Sequence, residues 1–263
     1  MNFKKIKRTF SIGIAALMCF AVTLSVPAAA KTDDTVWKET KALAGASYSS
    51  KYIKWVEKYS EKDTTKTVTY SKSRTKKFLD KYEKNTDKDE LQFALNISDK
   101  NSIISITIKG DKYKAAVYDG GMGMFYCGDA KNITFLDINN KQKCSLTTAE
   151  ALKNTGLDYP DDYDVPNEIA KEASEILDLD IDSNEKGKLF KFISGEKTYY
   201  YEKFEEHSYS SVGFLFNESG NVIAANIDGD IVCMNVSYKV KDSEFNIPKD
   251  YNDVDYTDIN WLN

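Results

Sequence analysis

The feature that most constrains the fold is a repeated pattern of short alternating strands joined by tight turns. Ile104, Ile106 and Ile108 alternate with polar residues, which is typical of a strand with one buried face. Gly110-Asp111 then supplies a two-residue hairpin loop, and the return strand begins at Tyr113. Consecutive strands joined in this way form a meander, so we expect neighbours to pair antiparallel.

The same pattern predicts two meanders. The first comprises strands at 91–97, 104–108, 113–117, 124–127 and 133–138. The second comprises strands at 189–193, 198–204, 211–216, 222–227 and 231–240. Between Val232 and Val240 every second residue is apolar, which predicts that a single face of the last strand is buried.

Helical periodicity precedes and separates the meanders. Helices are predicted in two pieces within 34–59, at 74–84, after the Thr147/Glu150 capping box, and at 167–177, with a short strand within 64–70. No linker or repeat divides the chain. We therefore predict one α+β domain, with an N-terminal helical region at 31–90 and an antiparallel-sheet body at 91–263 that contains central helices within 147–178.

The first thirty residues have the three parts of a secretory signal peptide. A basic start is followed by an apolar run from Phe10 to Val26 and by the small residues Ala28-Ala29-Ala30. Cleavage between Ala30 and Lys31 is expected to release a protein of 233 residues to the cell envelope or the medium, without stable membrane insertion. The alternative is an uncleaved N-terminal anchor, since the apolar run is almost long enough to span a bilayer.

The charge balance argues against nucleic acid as a partner. The signal carries four of the 36 basic residues and none of the 41 acidic residues, which leaves a net charge of −9 after cleavage. An acidic protein is repelled by polyanions unless it has a local basic patch. Arg74 is the one arginine beyond the signal, so bidentate phosphate recognition would depend on it alone.

Three cysteines follow the signal, and an odd number does not form a complete disulfide framework. Cys127 and Cys144 lie on neighbouring predicted strands and are the candidates for a bridge. The alternative is that these two and Cys233 are buried small hydrophobic residues.

Motifs for metal, cofactor and nucleophilic chemistry are weak. Asp178, Asp180 and Asp182 resemble the start of a calcium loop, but Ser183 stands at the position of the turn glycine and Leu189 at that of the bidentate glutamate. A polar connection between a helix and a strand explains the three carboxylates equally well. His207 is the single histidine, no nucleophile elbow accompanies it, and no glycine-rich phosphate loop is present. We expect no cofactor and no catalytic residue.

Carboxylates and aromatic residues leave a sugar-active site open. A glycosidase needs two carboxylates at a fixed separation, and 41 acidic residues allow no pair to be nominated. Tyr199-Tyr200-Tyr201 offers a stacking platform. Strand alternation nevertheless sends Tyr200 to one face and the other two tyrosines to the opposite face.

The order of elements resembles the LolA/LppX-like lipoprotein-carrier superfamily. The ending at 244–251 is similar to the F-x-I-P-x-x-Y close of such proteins, and the segments 195–202 and 216–222 look like their late strand–turn–strand units. The resemblance implies a strongly curved antiparallel sheet, an open half-barrel with helices packed on it and a hydrophobic cavity. It also implies a carrier or sensor of lipids without catalytic residues. The lysine-rich helix within 62–89 departs from the family pattern.

These observations favour a secreted, non-enzymatic protein that binds a lipidic or other hydrophobic small molecule in a concave apolar pocket. Two other functions stay open. One is a cell-surface interaction or regulatory module that binds a cell-envelope protein. The other is a hydrolase of cell-wall or glycan substrates that acts through paired carboxylates.

Overall fold

The computed structural model describes residues 50–86, 90–97, 102–119, 122–137, 140–154, 164–205, 211–227, 229–247 and 249–258. The helices in these ranges are α1 (Ser50–Glu61), α2 (Arg74–Thr86), α3 (Thr148–Asn154) and α4 (Val165–Glu175), with 3₁₀ turns at Tyr70–Lys72, Asp242–Phe245 and Tyr256–Asp258. None of the helices in these ranges is long and apolar enough to cross a membrane.

The strands form one open sheet. They are β1 (Thr67–Thr69), β2 (Glu90–Ile97), β3 (Ser102–Lys109), β4 (Lys112–Asp119), β5 (Met122–Gly128), β6 (Asn132–Asp137), β7 (Gln142–Thr147), β8 (Lys186–Ser194), β9 (Lys197–Glu205), β10 (Ser211–Phe216), β11 (Val222–Ile227), β12 (Asp230–Ser237) and β13 (Asn252–Asp253). Their order is β1-β8-β9-β10-β11-β12-β2-β3-β4-β5-β6-β7-β13, and β7–β13 is the one parallel pair among them. The predicted α+β class and the antiparallel, curved sheet are confirmed.

The two predicted meanders are present and join side by side. β2 pairs antiparallel with β12, so that Phe93 lies opposite Val236. Glycines close the hairpins as expected: Gly110 has φ +58° and Gly229 has φ +89°, in the left-handed region that favours glycine. The sequence predicted the strands of each meander except β7, and it did not predict the junction between the meanders.

One face of the sheet carries three of the helices, and we call it the helix-lined face. Leu91, Phe93 and Leu95 of β2 point to this face and join one large apolar cluster, while Ala94 points to the opposite face. This separation follows from the period of two along a strand. The cluster extends over both meanders and includes apolar residues of α2, α3 and α4.

Helix α2 packs on the helix-lined face through the residues that its periodicity marked as apolar. Phe78 lies 5.5 Å from Phe214 and Tyr82 lies 5.7 Å from Phe93, measured between ring centroids. The Tyr82 hydroxyl donates a hydrogen bond to the carbonyl oxygen of Ala173 in α4 at 2.5 Å. This bond joins α2 to α4 over the sheet.

The central helices begin at polar caps. Thr147 and Glu150 form the predicted capping box, with the Thr147 N–H donating to Glu150 Oε2 at 2.9 Å and the Glu150 N–H donating to Thr147 Oγ1 at 3.2 Å. Helix α4 begins earlier than predicted. Asp164 accepts a hydrogen bond from the Asn167 N–H at 3.2 Å, and Pro166 fits the first turn because its missing N–H is not needed there.

The opposite face is also covered, which corrects the prediction that β12 buries a single face. Helix α1 lies over the second meander, where Val56 packs in a cluster with Leu215, Ala224 and Cys233. Cys233 is completely buried. Because alanine and cysteine are small, the backbone of α1 approaches the sheet closely at these positions. Over the first meander, a separate cluster contains Tyr251 of the C-terminal segment.

Candidate functional site

Tyr113 of β4 places a buried hydroxyl group in the apolar layer between the helix-lined face and helices α2, α3 and α4, which we call the helix-lined layer. Its side chain is fully buried, and its ring centroid lies 6.1 Å from that of Tyr126. Its hydroxyl group lies beside Gly128 of β5, where an added Cβ would be 2.8 Å from the Tyr113 Oη. Glycine at this position therefore makes room for the hydroxyl group. Tyr113 Oη has no hydrogen-bond partner among the residues that the structure describes.

Thr148 Oγ1, at the start of α3, and Tyr238 Oη, just after β12, also lack a hydrogen-bond partner within the described ranges. Lys81 of α2 places its Nζ 4.3 Å from the centroid of the Tyr238 ring. Burial raises the pKa of Tyr113 and of Tyr238, so both phenols keep their protons and remain hydrogen-bond donors.

Glu202 of β9 is a completely buried carboxylate that receives the start of α2. Its Oε2 accepts hydrogen bonds from the N–H and the Oγ1 of Thr75, both at 2.9 Å. Its Oε1 accepts from the Arg74 N–H at 3.2 Å and from Arg74 Nη1 at 3.4 Å. The negative charge thus satisfies N–H groups that have no partner within the helix, at the positive end of the helix dipole.

Arg74 connects this buried carboxylate to the surface. Its guanidinium carbon lies 3.6 Å from the centroid of the Tyr200 ring, and Lys191 Nζ lies 5.8 Å from the same centroid. Two cations therefore stand over one aromatic ring. Arg74 is used within the protein, as a stacking and ion-pairing group.

Aromatic residues on the opposite face form what we call the aromatic cluster: Tyr52, Trp55, Tyr59, Phe190, Phe192, Tyr199 and Tyr201. Trp55 of α1 lies 4.9 Å from Phe192 and 4.8 Å from Tyr199, between ring centroids. Tyr201 donates to or accepts from Ser60 Oγ at 2.6 Å. The predicted separation of Tyr199 and Tyr201 from Tyr200 is confirmed, since Tyr200 packs on the helix-lined face.

The two buried carboxylates of the described ranges, Glu202 and Asp137, both have structural partners. Asp137 accepts hydrogen bonds from the N–H of Asn140 at 3.1 Å and from its Nδ2 at 2.7 Å. The described carboxyl groups whose pKa is shifted have a lowered pKa, because lysines or helix-cap donors stabilise the charged form: Asp63, Glu150, Asp242 and Asp250. A general acid requires the opposite, a raised pKa. The two buried carboxylates belong to different meanders and each organises the backbone next to it.

Within the described ranges, Asp178, Asp180 and Asp182, the suggested start of a calcium loop, are not gathered into a group that could hold a metal ion. The three carboxylates are exposed and alternate with Leu179 and Ile181, which pack towards the core. In the described ranges, no three His, Cys, Asp or Glu side chains gather as a metal site.

The bridge between Cys127 and Cys144 is also not formed, and both residues are buried free thiols, as is Cys233. Cys144 packs in the cluster on the helix-lined face. Cys127 follows Tyr126, which points to that face, so Cys127 points to the opposite face. A sheet therefore lies between the two sulfur atoms. His207 and the predicted cleavage site at Ala30 and Lys31 lie outside the described residues.

Neither Tyr113 nor Glu202 was predicted from the sequence as a functional residue. For Glu202 the signal is a lone carboxylate among the apolar and aromatic residues of an alternating strand. For Tyr113 it is a large polar residue whose strand partner is a glycine, since Tyr113 lies opposite Gly128. Neither residue can be recognised as a special position until the strand pairing is known.

No protein-family model matches the chain, and no curated protein matches it. Among solved structures, the chain is similar to an uncharacterized conserved protein from Thermus thermophilus. The two are 9% identical, the match covers 70% of this chain and 99% of the other, and the TM-score is 0.32. The fold is therefore described by its own sheet topology.

Proposed function

We propose that this protein is a non-enzymatic carrier or sensor that binds a lipidic or other hydrophobic small molecule between the helix-lined face and its helices, as in a LolA-like half-barrel. The observation that carries the proposal is the buried hydroxyl group of Tyr113, which has no hydrogen-bond partner among the described residues. A buried hydroxyl without a hydrogen bond is unfavourable by about 1–3 kcal/mol. A ligand oxygen at this position would accept a hydrogen bond from the Tyr113 hydroxyl group.

The surrounding layer supports an apolar ligand. It is lined on the sheet side by residues such as Ile106, Phe135 and Phe214, and on the helix side by Leu152 of α3 and Ile169 of α4. These side chains belong to different elements, so separation of the helices from the sheet would open an apolar space with Tyr113 at its base. Such a lining, with few polar groups, is typical of sites for lipidic molecules.

The experiment compares retained and added ligands. Native mass spectrometry of the purified protein, before and after organic extraction, detects a bound lipid. Titration of the extracted protein with the fluorescent fatty acid cis-parinaric acid then measures affinity. We expect saturable binding that Tyr113→Phe weakens about 5- to 30-fold, equal to the loss of one hydrogen bond of about 1–2 kcal/mol.

Tyr251→Phe is the matched control, because Tyr251 is a buried tyrosine in the cluster on the opposite face. It should leave the titration unchanged. Absence of both a retained lipid and saturable binding would refute the proposed function. Equal effects of the two substitutions would refute the assignment of Tyr113 to the site.

A further inference from the structure

Strand β8 has an open edge over most of its length. It pairs with β9 from Lys188 to Ser194, but it pairs with β1 only from Lys186 to Lys188. One more bond follows, from the Leu189 N–H to the carbonyl oxygen of Lys66 at 2.9 Å. Beyond Leu189, no strand in the described ranges lies along this edge.

The backbone groups on this edge can be assigned from that last bond. Successive N–H and C=O groups of a strand point to opposite edges. Since the Leu189 N–H points to β1, the N–H and C=O groups of Lys191 and Ile193 point the same way, past the end of β1. Those of Phe190 and Phe192 point to β9 and are used in the sheet. The open edge therefore presents two donors and two acceptors spaced for another strand.

The side chains of the open edge differ between the two faces. On the helix-lined side, Ile193 is 71% exposed and is the single large hydrophobic residue of the described ranges that is exposed. Lys191 is exposed next to it, makes no ion pair with a described residue, and stands over Tyr200 beside Arg74. On the opposite side, Phe192 is half-buried against Trp55.

We propose that the edge of β8 from Phe190 to Ser194 binds an extended acidic peptide of a partner protein by strand addition. Main-chain hydrogen bonds to Lys191 and Ile193 would supply affinity, and the side chains of both faces would supply specificity. The added strand would place a carboxylate beside Lys191 and Arg74, and an apolar side chain on the other face beside Phe192 and Trp55.

The charges on the edge favour an acidic partner over a second copy of this chain. Lys188, nearer to β1, is already paired with Asp63 at 2.7 Å. Lys191 has no carboxylate partner among the described residues and can pair with a carboxylate of a ligand. Edge-to-edge pairing of two copies would bring their lysines together, and a lysine on an edge strand is a known barrier to such pairing. The same lysine attracts a strand that carries glutamate or aspartate. This proposal is independent of the ligand in the helix-lined layer.

The experiment uses labelled peptides and fluorescence anisotropy. One ten-residue peptide alternates valine with glutamate, and its control alternates valine with lysine. We expect the glutamate peptide to bind at least about 10-fold more tightly, and Lys191→Glu to abolish or reverse this preference. The binding should weaken with rising salt concentration, since the charges are exposed.

A proline at 193 separates strand addition from charge attraction. Ile193→Pro removes the N–H that faces the open edge and leaves the bonds to β9 intact, and proline is tolerated on edge strands. Ile193→Thr is the matched control, since threonine keeps both the N–H and a β-branched side chain. We expect the proline variant to bind at least about 10-fold more weakly than the threonine variant, with circular dichroism unchanged in both.

Three results would overturn the proposal. They are equal affinities for the two peptides, equal affinities of the proline and threonine variants, and a wild-type dimer in analytical ultracentrifugation that Ile193→Pro dissociates. The last result would assign the edge to a second copy of the chain.

Discussion

Substitution of Glu202 by glutamine tests how far one buried carboxylate holds α2 on the sheet. Glutamine keeps the shape of the side chain, but its NH₂ group donates where an acceptor is needed. We expect its oxygen to keep the shorter pair of bonds, those from the N–H and Oγ1 of Thr75 at 2.9 Å. The NH₂ group would then oppose the Arg74 N–H and guanidinium, whose bonds to Oε1 measure 3.2 and 3.4 Å.

The magnitude follows from these two lost bonds. A hydrogen bond to a charged group contributes about 1.5–3 kcal/mol, and the bond from the Arg74 N–H is part-buried and ends on a completely buried carboxylate. The Arg74 side chain is 36% exposed, so solvent screens its ion pair with Glu202 and we assign that pair less than about 1 kcal/mol. Glu202→Gln should therefore lower the free energy of unfolding by about 2–3 kcal/mol.

Urea denaturation followed by circular dichroism measures this change. With a slope of about 2–3 kcal/mol/M, the midpoint should fall by about 1 M. Glu205→Gln is the matched control, because Glu205 lies on the same strand, its side chain is 65% exposed, and its ion pair with Lys203 measures a long 3.9 Å. It should change stability by less than about 0.5 kcal/mol. Equal midpoints for the two variants would refute the role assigned to Glu202.

Three further outcomes are expected. Burial raises the pKa of Tyr70 and Tyr201 to about 12, above the usual 10. The stability that these two neutral phenols contribute is therefore complete below pH 10 and is lost between pH 10 and 12. A urea midpoint that does not change between pH 10 and 12 would contradict this expectation. Gly213→Ala would place a Cβ 1.9 Å from Tyr201 Oη and should lower thermal stability by about 3 kcal/mol, whereas full stability in calorimetry would show that the ring moves freely. Under non-reducing conditions Cys127 and Cys144 should react with a thiol reagent only after unfolding, and failure to react even then would indicate a disulfide bond.

Most strands and hairpins of the sheet could be predicted from patterns of residues that are close in sequence. Alternation located most of the strands, though not β7 or β13, because half-buried strands separate polar from apolar residues. Gly110 and Gly229 marked hairpins because their backbone needs a positive φ. The cap at Thr147 was likewise found from its own short segment. Each of these signals depends on residues that are close in sequence.

The remaining features depend on contacts between distant segments. Nothing near Phe93 indicates that its strand pairs with Val236 rather than with another edge. The same holds for α1, whose apolar stripe could pack on either face of the sheet. It packs on the face where the small side chains of Ala224 and Cys233 leave space for it. The partners of Glu202 and the surroundings of the Tyr113 hydroxyl group could not be predicted, because they too depend on segments far apart in sequence. The open edge of β8 could not be predicted either, because it results from the short length of β1.

The junction between β12 and β2 has a consequence for how the chain folds during synthesis. The first meander is complete once β7 has been made, but the edge of β2 then has no neighbour until β12 follows, near the end of the chain. Through this interval a strand containing Leu91, Phe93 and Leu95 offers unpaired backbone groups to any other chain, which is the situation that favours aggregation. Pairing across such a sequence distance is also slow. During synthesis the chain therefore passes through a half-sheet whose β2 edge is unpaired, and that edge is covered only once β12, the twelfth of the thirteen described strands, has been made.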